Sequence, residues 1–109
     1  MSNQVRSEAA FDAMGDPMRR RITETLGRGA LPVGMIADKL PIGRPAVSKH
    51  LKVLESAGIV EHTSVGTRNL YALAPGGLAP LQVWITQTWD DALSAFAEHV
   101  DNGENPRAS

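Results

Sequence analysis

At 109 residues, with 42% hydrophobic and 21% charged positions, the chain has material for one small domain whose modest core a partner subunit often completes. The lack of cysteine excludes disulfides, thiolate metal sites and thiol redox sensing, and no apolar run is long enough for a bilayer or a signal peptide, so a cytoplasmic protein with no membrane partner is expected. The net charge of −1 hides a segregation: residues 19–71 carry nine Lys or Arg against four acids, a net +5, between a leading segment of −2 and a trailing one of −4.

Residues 1–7 are polar and expected to be a flexible N-terminus. A short helix from Glu8 to Met14 follows, with Ala9, Ala10, Phe11, Ala13 and Met14 giving it an apolar side, and Gly15 ends it. Asp16 suits an N-cap and Pro17 a first helical position, so a second helix starts there. Its Met18, Ile22 and Leu26 face inward, and Gly27 to Gly29 close it. Arg19, Arg20 and Arg21 are open to two readings, a solvated face or phosphate contact, with Arg19 the candidate of the three.

Val33, Ile36, Ala37 and Leu40 share one face of a third helix, broken by Pro41-Ile42-Gly43. A fourth helix opens at Arg44-Pro45 and repeats Val47, Leu51 and Leu54 inward, with Gly58 in place for a left-handed C-terminal residue. Two short helices joined by a tight glycine turn, the second basic outside, form a helix-turn-helix. Two β-prone runs, 59–65 and 68–73, then flank Gly66-Thr67 as a hairpin, and a hairpin directly after a recognition helix is a wing. After Ala74-Pro75-Gly76-Gly77 a long helix is expected from Leu78 to Val100, and residues 101–109 read as a disordered tail, leaving 8–100 as the folded domain. The class expected is mainly α with a β-hairpin wing: four helices, two strands and a last helix.

The fourth helix carries the chemistry. Its N-terminal residues would enter a major groove, where Arg44 offers two donors to guanine, Ser48 donates or accepts, and Ala46 meets a thymine methyl. Pro45 lies in the same first turn, and Lys49 and Lys52 suit phosphates. His50 borders the buried face and reads first as a packed ring, second as a base contact. Arg68, just past the wing tip, can reach the backbone or the minor groove, or it can be idle. No acid lies between Leu40 and Glu55. On the last helix Leu78, Leu81, Ile85, Trp89, Ala92, Phe96 and Val100 form one stripe bordered by Trp84 and Leu93, too rich for a domain whose core is already supplied. Together with Phe11 and Met14 this stripe suggests a subunit interface, with folding back onto the domain as the competing reading.

These residues carry a family resemblance. Asp16 through Ile22, Ser48-Lys49-His50-Leu51-Lys52-Val53-Leu54-Glu55-Ser56-Ala57-Gly58-Ile59-Val60, and Gly66 through Leu73 resemble, in order, the second-helix entry, recognition helix and wing of ArsR-type winged-helix repressors. The resemblance is close over about Ala10 to Leu73 and extends to the last helix by length and position. It implies a homodimer joined through the first and last helices, a palindromic DNA operator, and repression until an effector acts. Many relatives sense metals through Cys-Val-Cys before the recognition helix; here those positions read Pro32-Val33-Gly34, and the last helix offers only His99 with Asp90, Asp91 and Glu98. No metal site and no cofactor are therefore expected, and the resemblance is to the non-metal branch.

Two rivals come from other classes. No phosphate loop, zinc-binding helix motif or serine elbow is present, which argues against an enzyme. A winged-helix protein-interaction module without operator binding is the more serious alternative, but it has no need of Arg44, Lys49, Lys52 and Arg68 around one reading head.

Overall fold

A computed structural model describes residues 3–101. The elements run α1 (Asn3–Met14), α2 (Pro17–Leu26), β1 (Leu31–Pro32), α3 (Val33–Asp38), α4 (Arg44–Ser56), β2 (Val60–Val65), β3 (Arg68–Leu73) and α5 (Ala79–Asp101). Ala10 and Ala13 of α1, Ile22 and Leu26 of α2, Ile36 of α3, and Val47, Leu51 and Leu54 of α4 close one core with Ile59 and Val60. The helical spacing that predicted the inward faces of α2, α3 and α4 is the spacing that fills this core, except that Met18, expected inward on α2, is only half-buried and does not pack on it. Burying each large aliphatic residue there stabilises the fold by about 1.5–3 kcal/mol.

The element borders differ from expectation in four places. Helix α1 begins at Asn3 rather than Glu8, so residues 3–7 of the expected flexible lead are helical, and its residues 1–2 lie outside the described residues. Helix α3 stops at Asp38 rather than Leu40, although Leu40 still packs on the core. Helix α5 starts at Ala79 and includes Asp101; residues 102–109 of the expected tail lie outside the described residues. A third strand was not foreseen. Leu31 and Pro32 pair antiparallel with Tyr71 and Leu70, so the wing belongs to a three-stranded sheet of order β1-β3-β2.

The turns follow from local chemistry. Asp16 caps α2, its Oδ2 accepting the Arg19 N–H at 2.9 Å, and Pro17 sits in the first turn. Helix α4 ends in a Schellman pair: the Ile59 N–H reaches the Leu54 carbonyl and the Gly58 N–H the Glu55 carbonyl, each at 3.0 Å. Gly58 makes this possible with φ of 79°, and Ile59 and Leu54 meet inside the core. This cap aims the chain from α4 straight into β2.

Helix α5 leaves the body of the protomer. Leu81 packs against the core, but every residue from Gln82 to Val100 is exposed. The Cα radius of gyration is 19.0 Å, whereas a compact domain of about 100 residues has about 13 Å. Near its start α5 touches α1, where Phe11 meets Trp84 edge-to-face with ring centroids 5.3 Å apart and planes at 82°.

Candidate nucleic-acid interface

Helix α4 is a rigid rod with one side fixed and one side free. Val47, Leu51 and Leu54 are fully buried, so the opposite arc is held out by geometry, and it carries Pro45, Ser48, Lys49 and Lys52, all exposed, while Arg44 is exposed in the first turn on the side that faces α3. Ala46 is half-buried at its edge. The N-cap, Gly43, supplies no side-chain acceptor, and Pro45 lacks an amide hydrogen. Among the described residues, Arg44, Lys49, Lys52 and Arg68 have neither an ion pair nor a side-chain hydrogen bond. Four cations left unpaired around one rod make an electrostatic footprint for a polyanion.

His50 and Arg19 stand apart from that set. The His50 ring is turned to α2, its Nδ1 lying 3.9 Å from Asp16 Oδ2 with a quarter of the side chain exposed. That agrees with a packed ring at the α2–α4 junction. Arg19 is engaged with its own fold: its Nε donates to the Ala13 carbonyl at 2.7 Å and its Nη2 to the Asp12 carbonyl at 3.2 Å. Arg20 Nη1 likewise donates to the Met14 carbonyl at 2.6 Å. The Ala13 and Met14 carbonyls are ones that the end of α1 leaves without helical partners, while the Asp12 carbonyl also accepts the Gly15 N–H at 3.2 Å. The Asp16 carboxyl is held below its ordinary pKa chiefly by the backbone N–H of Arg19, then by the charges of Arg19 and His50, against an opposing pull from burial.

The wing is built as the Gly-Thr turn requires. Val65 pairs with Arg68 across Gly66 and Thr67, and Gly66 alone in this turn has positive φ, 63°, the pattern of a type II′ hairpin. Ser64 Oγ donates to Asn69 Oδ1 at 2.9 Å across the tip, leaving Arg68 projecting beside it. A contact that periodicity could not reveal ties the root of the wing to α4: His62 Nδ1 lies 2.6 Å from Glu55 Oε2, and the His62 ring stacks at a tilt on Tyr71, centroids 5.3 Å apart. Burial, and secondarily the nearby Glu55 charge, push the Tyr71 hydroxyl above its usual pKa. Reading helix and wing are thus braced against each other, and Arg44 and Arg68 line one cleft between them with Gly34, Asp38 and Asn69.

The expected interface residues divide into two groups. Met14 and Leu81 are half-buried against their own core, which is the fold-back reading for those two. Phe11, Leu78, Trp84, Ile85, Trp89, Ala92 and Phe96 stay exposed; Trp89 is 64% exposed and Ile85 and Phe96 58% each, values that are extreme for side chains of this size. No cluster of three or more potential metal ligands exists among the described residues, and no described helix is long and apolar enough to cross a membrane.

A reading helix with a free cationic arc, a braced wing and a three-stranded sheet define a winged helix-turn-helix transcriptional regulator. Residues 14–63 match the helix-turn-helix domain family. The chain is 43% identical over 102 residues to the HTH-type transcriptional regulator Rv2034 of Mycobacterium tuberculosis, covering 94% of this chain and 95% of that one. Among solved structures it resembles an ArsR-like transcriptional regulator from Rhodococcus, with a TM-score of 0.70 and 31% identity over 87% of this chain and 92% of the other. It also resembles a homodimeric winged helix-turn-helix DNA-binding domain from Mycobacterium bovis, with a TM-score of 0.67 and 26% identity over 84% and 85%. The chain belongs to the ArsR family of helix-turn-helix transcriptional regulators.

Proposed function

We propose that the protein is a homodimeric repressor that binds a palindromic operator, reading each half-site with the α4 helix, residues 44–56, and bracketing it with the wing, residues 61–73. The observation that carries this is the set of exposed, unpaired cations on α4 and the wing, with Lys49 and Lys52 held out by the fully packed opposite face of α4. Arg44, Ala46 and Ser48, with Pro45 in the same turn, reach base edges; Lys49, Lys52 and Arg68 neutralise phosphates. His50 supports the rod from behind, and Arg19 contributes field rather than contact, since two of its donors are occupied.

The homodimer reading is supported by the exposed arc of α5. On a helical wheel its apolar residues, from Trp84 through Leu81, Ile85 and Phe96 to Leu93, sweep about half the circumference. Phe11 covers only the Trp84 border. A second copy of the same helix, related by a two-fold axis, covers the remainder.

The test is footprinting of purified protein on genomic duplex, followed by salt titration on the protected site. Two protected half-sites about 34 Å apart are expected, with log affinity falling against log salt by roughly 0.9 per phosphate neutralised. A protein that ignores duplex DNA at low ionic strength would leave the docking-module reading in its place.

A further inference from the structure

We propose that Gly34 is a positioning residue for Arg44, a shelf whose missing side chain sets where the operator-reading guanidinium rests. This rests on the reading of Arg44 as a DNA contact. A Cβ placed on Gly34 would lie 2.7 Å from Arg44 Nη2, 3.0 Å from its Cζ and 3.3 Å from its Nε, so the guanidinium lies across the bare backbone of α3. Nothing else fixes it: among the described residues Arg44 has no ion pair and no side-chain hydrogen bond.

Arg44 shares its cleft with a second cation. Arg44 and Arg68 line the same cleft, and Asp38, also on its rim, pairs with neither. A side chain with no polar partner to hold it is otherwise free to sample solvent-facing rotamers. Packed flat on Gly34, its planar face is buried against backbone while its edge donors remain open, so it meets the duplex already oriented. Pre-orientation saves the rotamer entropy that a mobile arginine would lose on binding.

The sign of the expected effect separates positioning from damage. Gly34 lies in the first turn of α3 with an ordinary backbone φ, and alanine is the better helix former. The three atoms nearest the new methyl outside its own helix all belong to the flexible end of Arg44. Gly34→Ala is therefore expected to leave Tm unchanged or raise it while weakening operator binding. The experiment is a double-mutant cycle of Gly34→Ala, Arg44→Ala and the double variant, each titrated with operator duplex and melted without DNA. Arg44→Ala is expected to lose about tenfold or more, the scale of one lost arginine contact. Gly34→Ala should lose several-fold in the native background and nothing further when Arg44 is already alanine. Equal losses from Gly34→Ala in both backgrounds, or no loss in either, would overturn the shelf. No loss from Arg44→Ala would instead overturn the assignment of Arg44 to the operator.

Discussion

Replacing Ile85 by aspartate is the sharpest probe of the proposed dimer, because within the protomer Ile85 lies outside the core. It is 58% exposed and lies on the α5 arc with Trp89 and Phe96. Complete burial of an isoleucine is worth about 1.5–3 kcal/mol, so the surface still open to a partner is worth roughly 1–1.5 kcal/mol per copy. Two-fold symmetry counts each substitution twice, giving about 2–3 kcal/mol for the apolar loss alone, or roughly a 30- to 150-fold rise in the dimer dissociation constant. Taking two carboxylates out of water adds a further penalty in the same direction. The assay is sedimentation velocity over a concentration series, paired with titration of duplexes carrying one or two half-sites. The variant should keep native circular dichroism, sediment as monomer where the parent is dimer, and lose affinity for the two-half-site duplex only. An unchanged dissociation constant would refute the assignment of this arc to the interface.

Three further outcomes are expected. Gly77→Ala places a methyl 2.6 Å from the Ile59 carbonyl oxygen and 3.0 Å from those of Gly58 and Ala74, all backbone that cannot swing aside, so stability should fall by about 1–3 kcal/mol in thermal or urea melts. Lys49→Ala should weaken every duplex alike and reduce the salt slope by about one, whereas loss confined to the preferred sequence would make Lys49 a base reader. Asp16→Asn keeps a capping oxygen but removes the charge. Because the folded pKa of Asp16 lies below 3.8, its ionised form stabilises the fold above that value and the contribution disappears as pH falls through the folded pKa. The Tm gap between parent and variant should therefore be full near neutrality and close in acid, and a gap independent of pH would assign the effect to packing instead.

What could be read from the sequence is what short-range rules govern. The inward faces of α2, α3 and α4 follow from spacings of three and four residues, the end of α4 from Gly58, and the wing from Gly66-Thr67, because each is decided within a turn or two of chain. Strand β1 escaped because two residues have no period, and its partner, Tyr71-Leu70, is remote in sequence. The start of α1 escaped because Asn3 through Ser7 offer Val5 as their one apolar residue, too little for a helical period; packing of Ala10 and Ala13 holds a helix that propensity alone would not. Arg19 was recognisable as a cation of the reading flank, but only the geometry distinguishes a phosphate from the Ala13 carbonyl as its partner. The same holds for Leu81, indistinguishable by pattern from Ile85, which the fold turns inward while leaving Ile85 out. Gly34 gives no sequence signal at all, since its importance lies in what occupies the space its side chain would take.

The charge segregation acquires a mechanical meaning once α5 is placed. Asp90 and Glu98 fall on the arc of α5 away from the apolar stripe and are exposed. In the proposed dimer they face solvent on the outside of the paired helices, while the basic residues of the middle segment gather around α4 and the wing. A duplex approaching from the α5 side is repelled, and one approaching from the α4 side is drawn in, so the field selects the docking orientation before any base is touched. The two parts of the device then constrain each other. Apolar burial along α5 sets the separation of the two reading helices, and brackets such as Glu55–His62 hold each wing relative to its helix. Operator spacing is in this reading a property of the interface, and half-site sequence a property of the first turn of α4. Substitutions on α5 should alter the first without altering the second.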